Sequence, residues 1–186
     1  SGKDSVRIAG GSFVISAGKD GIQAENDEDA QLGFLYIADG SFAIDSVDDG
    51  VHSNADVTVS GGSFQIASGD DGFHADGSLT VTAGTILITQ SYEGLEGLTI
   101  DITGGEIQLV SDDDGLNAAG GNDESGFGGF GGGRGGMDSF DTDSDAYIQI
   151  SGGSLIVGAS GDGIGSNGSL TISGGEVYIS GPDSGA

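Results

Sequence analysis

The sequence predicts an all-β protein, a parallel β-helix built from one strand-and-turn unit that recurs along the chain. The last glycine of a corner that is Gly-Gly in most units falls at positions 11, 40, 62, 84, 105, 153 and 175, with Asp-Gly at 39–40 and Ala-Gly at 83–84. The glycine of an acidic corner falls at 21, 50, 72, 94, 115, 163 and 185, so both series have the spacings 29, 22, 22, 21, 48 and 22. Two independent marks that keep one spacing through insertions indicate a repeat protein. Between the marks, apolar and polar residues alternate with the period of two that is typical of β-strands.

The unit is clearest at residues 60–81, SGGSFQIASGDDGFHADGSLTV, which contain two corners between three short strands. About seven turns of about 22 residues are expected, each strand pairing with its equivalent about 4.8 Å away. Residues 1–186 are predicted to form a single domain with a glycine-rich loop inserted at 119–145. An antiparallel sandwich is the main alternative, but it would not need equivalent residues at a constant spacing.

The predicted turns follow one another in chain order, and an acidic insertion at 25–31 lengthens the first. The first two turns occupy 6–29 and 35–54, and the apolar residues of the other five span 57–75, 79–95, 100–116, 148–164 and 170–179. Equivalent side chains of a parallel β-helix stack, so we expect one internal column to run through all the turns. Its members are Phe13, Phe42, Phe64, Ile86, Ile107, Leu155 and Val177.

The charge of the chain narrows the classes of partner. It has 30 acidic residues against 4 Lys and Arg, for a formal net charge of −26, and no cysteine. Nucleic-acid binding by phosphate neutralisation is therefore not expected. No apolar run approaches the roughly 20 residues that span a bilayer, so membrane insertion is not expected either. Multivalent cations, a basic partner or adaptation to high salt would each explain the acidity.

The acidic corners predict a cation site. Their carboxylates would form a ladder along one edge, where like charges about 4.8 Å apart repel one another. Oxygen ligands without cysteine favour Ca²⁺ over Zn²⁺ or copper. Asp-Gly is also an ordinary turn signal, which is the alternative explanation. The candidate ligands at the corners are Asp20, Asp48, Asp49, Asp70, Asp71, Glu93, Asp112, Asp113, Asp114 and Asp162.

Further candidate ligands lie outside these corners. Asp76 belongs to a second polar column, which either satisfies backbone groups at a corner or completes a metal site. Asp141, Asp143 and Asp145 form a D-x-D-x-D run that begins like an EF-hand loop. Ala146 stands at its sixth position and Gly152 at its twelfth, so it is a local Ca²⁺ ligand set and not an EF-hand.

A column of polar side chains is a candidate ligand-binding strip. His52 and His74 are 22 residues apart and should stack on one outer face, with Asn117 in register. The strip is either a solvated polar face or, with Tyr92 beside it, a row of hydrogen-bonding groups for a sugar.

The I-x-G-G-x-[FIL]-x-[IVL] unit, the D-D-G-[ILVF]-x-A corner and the G-F-G-G-F-G-G-G-R-G-G-M insert resemble those of a known family. It comprises bacterial extracellular carbohydrate-binding proteins with a right-handed single-stranded parallel β-helix, distantly similar in fold to polysaccharide lyases. The resemblance implies a calcium-binding, non-catalytic protein, extracellular or on the cell surface. It also implies binding of a cellulose-like or acidic, pectin-like polysaccharide.

Two functions from different classes follow from these patterns. A lyase acting on uronates needs a Lys or Arg base, and none occupies an outward strand position on a middle turn, so an enzyme is not expected. Calcium-dependent polysaccharide binding is the first function. The second is structural and starts from the lack of an evident cap at either end, which indicates either a fragment of a longer protein or end-to-end stacking. Stacking would give a calcium-stabilised solenoid that associates into an extracellular filament.

Overall fold

The computed structural model describes residues 1–29, 31–118 and 145–181, and this part of the chain is all β. It contains no helix, and hence none long and apolar enough to cross a membrane. The strands are β1 Ser5–Ile8, β2 Ser12–Ala17, β3 Ile22–Ala24, β4 Phe34–Ile37, β5 Ser41–Ser46, β6 Val51–Ser53, β7 Val57–Val59, β8 Ser63–Ser68, β9 Phe73–Val81, β10 Thr85–Gln90, β11 Leu95–Ile102, β12 Glu106–Ser111, β13 Leu116–Ala118, β14 Tyr147–Ile150, β15 Ser154–Ala159, β16 Ile164–Ser166, β17 Ser169–Ile172 and β18 Glu176–Ser180.

The strands form two sheets in which the described pairs are all parallel. One sheet has 7 strands in the order β18-β15-β12-β10-β8-β5-β2, which takes one strand from each predicted unit. The other has 11 strands and contains the remaining strands of the units. The all-β class and the parallel pairing are thereby confirmed, and an antiparallel sandwich is excluded for the described residues.

Register follows the repeat, and it places the predicted apolar column inside. Phe13 pairs with Phe42 and Phe42 with Phe64, and the column continues through Ile86. The rings of Phe42 and Phe64 are 4.6 Å apart and nearly parallel, at 5°. Phe64 is only 2% exposed, and burying such a side chain contributes about 1.5–3 kcal/mol. The predicted aromatic column is therefore a structural core.

The acidic-corner glycines are required by close packing between neighbouring units. A Cβ atom at Gly50 would lie 2.6 Å from the carbonyl oxygen of Gly72 and 2.6 Å from Cγ2 of Ile66. Backbone hydrogen bonds connect the same corners, since Gly50 N–H donates to the carbonyl of Asp71 at 2.8 Å. The residues directly before these glycines are therefore held in a fixed row.

The middle units differ from the prediction of three separate short strands. In β9 and β11, the last strand of one unit runs directly into the first strand of the next, giving strands of 9 and 8 residues. At this junction Gly77 N–H donates to the carbonyl of Ala55, and Ser78 N–H donates to Asp56 Oδ1. These hydrogen bonds keep the backbone extended where a corner was expected.

Candidate acidic corner site

The residue directly before each corner glycine forms an inner carboxylate column that is partly structural. Its members are Asp20, Asp49, Asp71, Glu93, Asp114 and Asp162. Asp49 Oδ1 accepts the backbone N–H of Asp71 at 3.0 Å, and Asp71 Oδ1 accepts that of Glu93 at 3.1 Å. Asp114 Oδ1 accepts the N–H of Asp162 in the same way at 2.6 Å. These carboxylates accept hydrogen bonds from backbone N–H groups of the next unit. Such a structural role is expected if Asp-Gly at these corners is an ordinary turn signal.

One position earlier, an outer column runs parallel to the inner one. Tyr92 N–H donates to the carbonyl of Asp70 at 2.8 Å, and Asp113 N–H donates to that of Tyr92 at 2.9 Å. Asp48 precedes Asp70 in this column. Asp48, Asp70 and Asp113 are half-buried, whereas Tyr92 is exposed. The outer column therefore presents carboxylates and one phenol at the surface.

The structure brings Asp49, Asp70 and Asp71 into one group whose ligand oxygens lie within 4.8 Å of one another. Asp49 is 6% exposed and Asp71 is fully buried, while Asp70 is half-buried. The group therefore has two inner carboxylates and one that reaches the surface. Such a set of oxygen atoms matches the donors that Ca²⁺ prefers.

The same Asp-Gly-X-His sequence occurs at two consecutive corners. His52 Nδ1 lies 2.8 Å from Asp49 Oδ2, and His74 Nδ1 lies 3.0 Å from Asp71 Oδ2. The two rings are 5.1 Å apart, as the predicted stacking requires. Burial lowers the pKa of His52, but the hydrogen bond and charge of Asp49 outweigh it, so the pKa is raised overall.

His74 lies among carboxylates on both sides of its ring. Nδ1 is 2.8 Å from Glu96 Oε2 as well as close to Asp71, and Nε2 is 3.1 Å from Asp76 Oδ1. Burial lowers the pKa of His74, but the contacts with Asp71, Asp76 and Glu96 raise it far more. Asp76 therefore contacts one ring nitrogen, and the other two carboxylates contact the other.

The two buried carboxylates beside His74, those of Asp71 and Glu96, have pKa values shifted in opposite directions overall. Burial raises the pKa of Asp71 well above the ordinary value, even though the hydrogen bond with His74 opposes it. It also raises that of Glu96, but the contacts with His74 and Asp71 outweigh burial and leave the pKa of Glu96 lowered. The surroundings therefore favour the protonated form of Asp71 and the ionised form of Glu96.

Two further groups of potential ligands include histidine. Asp71, His74 and Glu96 form one, and Asp49, His52 and His74 form the other. Within the described ranges, the other candidate ligands are in no group of three such ligand atoms. Asp112, Asp145 and Asp162 are exposed, whereas burial raises the pKa of the half-buried Asp20. Asp141 and Asp143 lie outside the described residues.

The predicted ligand-binding column, which contains His52, His74 and Asn117, lies beside the acidic corners. Asn117 Nδ2 donates to Glu93 Oε1 at 2.9 Å. The register Gln23, His52, His74, Glu96, Asn117 follows the repeat. The column is not uniformly solvated, because His74 is only 7% exposed and Glu96 only 2%.

Glu96 is the residue whose importance the sequence did not reveal. It stands two positions after a corner glycine, as His52 and His74 do, so the repeat register was the available signal. This register predicts an outer face for Glu96, whereas the structure buries it against His74.

Fold and site together define an acidic all-β protein of parallel strands, with carboxylate and imidazole groups clustered at its corners. Residues 1–125 match the sequence model of a family described as carbohydrate-binding domain-containing protein. That match covers more than half of the chain, and the protein belongs to this family. It supports carbohydrate binding and a non-catalytic role. No curated protein and no solved structure matched the chain.

Proposed function

We propose that this protein is an extracellular or cell-surface binding protein that holds an acidic, pectin-like polysaccharide through Ca²⁺ ions. The observation that carries the proposal is the Asp49, Asp70 and Asp71 group, which lies within the matched residues 1–125. A protein with a net charge of −26 repels a uronate polymer unless cations lie between them. Ca²⁺ at this group supplies that bridge.

The hydrogen bonds of the group leave room for a cation. Asp49 uses Oδ1 for the backbone of Asp71 and Oδ2 for His52. Each carboxylate oxygen has two lone pairs, so these contacts leave further acceptor positions. Ca²⁺ takes 6–8 oxygen ligands in flexible geometry, so positions that the protein does not fill remain for water or for a sugar carboxylate. Asp70, the half-buried member, places the ion at the surface.

We further infer that the two sheets coil as a right-handed single-stranded parallel β-helix. Strands of successive units pair in parallel with equivalent residues, which supports a coil of constant pitch. Connections between parallel strands are right-handed in almost all proteins. In such a coil the corner columns follow the long axis, with about 4.8 Å between units. A row of sites along an axis suits an extended polymer.

The test is binding of polygalacturonate by the full chain in Ca²⁺, in Mg²⁺ and in excess chelator. We expect binding in Ca²⁺ only. Asp70→Asn should weaken it at least about tenfold, because ligand charge sets calcium affinity. Asp45→Asn is the matched control, since it removes one exposed carboxylate from strand β5 on the other sheet. Equal binding in chelator would disprove calcium dependence. Binding to cellulose but not to polygalacturonate would show that the ligand is a neutral glycan and not an acidic one.

A specific observation favours a second candidate function, end-to-end association into a filament. Leu170, Ile172 and Ile179 are 46–49% exposed, although they continue the internal apolar columns. Among the described strands, β17 pairs only with β14 and β18 only with β15. The opposite edge, with half-buried Val6 and Ile8, offers a matching apolar surface on a second copy.

Electron microscopy and sedimentation test this second function. Leu170→Asp should abolish assemblies, whereas Val14→Asp should not, because Val14 is 89% exposed on the outer face of β2. Monomers at all concentrations of the unaltered protein would exclude the filament.

A further inference from the structure

Asp71, His74 and Glu96 form a compact triangle of ligand atoms, of which the calcium proposal uses only Asp71. His74 Nδ1 is 3.0 Å from Asp71 Oδ2 and 2.8 Å from Glu96 Oε2. The side chains of Asp71, His74 and Glu96 are 1%, 9% and 3% exposed. The triangle joins two successive units, because β9 provides His74 and β11 provides Glu96.

Glu96 Oε2 is a buried polar atom that lacks a hydrogen bond. It is close to Nδ1 of His74, yet it accepts no hydrogen bond in the described part of the chain. The Nδ1–H of His74 is instead shared with Asp71 Oδ2. His74, when protonated, is the positive partner of this oxygen at 2.8 Å, and a metal ion bound in the triangle would take the place of that proton. Because Glu96 Oε2 accepts no hydrogen bond, its lone pairs are left for a metal ion.

We propose that Asp71, His74 and Glu96 bind one divalent transition-metal ion, of which Zn²⁺ is the representative, at a site that adjoins the calcium group and shares Asp71 with it. Zn²⁺ forms bonds of about 2.0–2.2 Å to imidazole nitrogen and carboxylate oxygen. Two such ligands in tetrahedral geometry are about 3.3 Å apart, so the measured separations of 3.0 and 2.8 Å need to widen by only a few tenths of an ångström. Two carboxylates and a neutral imidazole carry a charge of −2 and balance the ion.

The imidazole nitrogen gives this site a different metal preference from that of the calcium group. Imidazole suits zinc, iron and nickel, whereas Ca²⁺ takes oxygen ligands. The opposite nitrogen of His74 supports the assignment, because Nε2 lies 3.1 Å from Asp76 Oδ1. Histidines that bind metals almost always donate their other N–H to a carboxylate or carbonyl, which fixes the tautomer.

A proton is the competing occupant of the triangle. In the metal-free protein, a proton on Nδ1 of His74 occupies the space between this nitrogen, Asp71 Oδ2 and Glu96 Oε2. A metal must displace the proton on Nδ1, and binding should therefore release protons and weaken as pH falls.

The experiment is calorimetric titration of Zn²⁺ into the metal-stripped full chain, in excess Ca²⁺ and in two buffers of different ionisation enthalpy. One Zn²⁺ per chain should bind with proton release, and Glu96→Gln should weaken binding at least about tenfold. Glu106→Gln, the same substitution at an exposed position of β12, should leave affinity unchanged. Circular dichroism of each variant establishes that it folds.

Three results would overturn the proposal. They are no Zn²⁺ binding by the unaltered protein, displacement of Zn²⁺ by Ca²⁺, and full affinity in Glu96→Gln. The test is independent of glycan binding, because Glu96 is outside the Asp49, Asp70 and Asp71 group. Loss of polygalacturonate binding in Asp70→Asn with zinc affinity retained would therefore separate the two sites.

Discussion

The Asp49–His52 and Asp71–His74 corners share the sequence Asp-Gly-X-His but have different surroundings. The side chain of His52 is 21% exposed and contacts one carboxylate, whereas that of His74 is 9% exposed and contacts three. The difference comes from the next unit, where His52 is followed by His74 and His74 by Glu96. In this protein the chemistry of a corner therefore depends on the residue one unit further on.

The largest contrast should come from replacing each histidine by leucine in metal-free protein. His74→Leu leaves Asp71 and Glu96 buried without their positive partner, and we expect a loss of about 3 kcal/mol in the free energy of unfolding. His52→Leu removes a contact with one carboxylate at a more exposed corner, so about 1 kcal/mol is expected. Urea unfolding at pH 7 measures both, and equal losses would contradict the comparison.

The second largest difference between the two corners should be in how the free energy of unfolding depends on pH. His74 has a raised pKa in the folded state, so its contribution is complete below the unfolded pKa of about 6.5. It is lost as pH rises toward the folded value, because the unfolded chain releases the proton first. Asp71, whose pKa is also raised, acts with the same sign.

We therefore expect the metal-free protein to lose stability between pH 6.5 and 8.5, by up to about 1.4 kcal/mol per pH unit for each proton. His74→Gln should flatten this slope more than His52→Gln does, as measured by urea unfolding at each pH. A slope unchanged by His74→Gln would mean that other groups cause it.

The smallest effect should follow removal of the outer carboxylate of the buried corner. The side chain of Asp76 is 44% exposed, so Asp76→Ala should cost less than about 1 kcal/mol in unfolding free energy. Its effect on zinc affinity should be larger, about tenfold or more, because it fixes the tautomer of His74. Thermal unfolding and zinc titration of one variant measure both, and unchanged zinc affinity would remove Asp76 from the site.

The repeat spacing was sufficient to predict the strands, their parallel register and the buried column of Phe13, Phe42 and Phe64. It also predicted the stacking of His52 on His74, since stacking follows from register alone. It did not predict the burial of Glu96, because burial depends on side-chain direction and on what packs against the column. For the three aspartates at 112–114, the repeat spacing likewise did not predict which side chain joins the inner column. Successive residues point in different directions, and only Asp114 joins it.

The carboxylate ladder between units has a consequence for how the family varies. Asp49 Oδ1 and Asp71 Oδ1 each accept one backbone N–H, which an asparagine oxygen would accept equally well. Apart from the contacts of Asp49 and Asp71 with His52 and His74, folding therefore leaves the choice between acid and amide open in this column. Among relatives, we expect asparagine in units where this residue only accepts the backbone hydrogen bond. We expect aspartate in units where its charge also binds a cation. Reading the column in related sequences would then show which units of each protein hold ions.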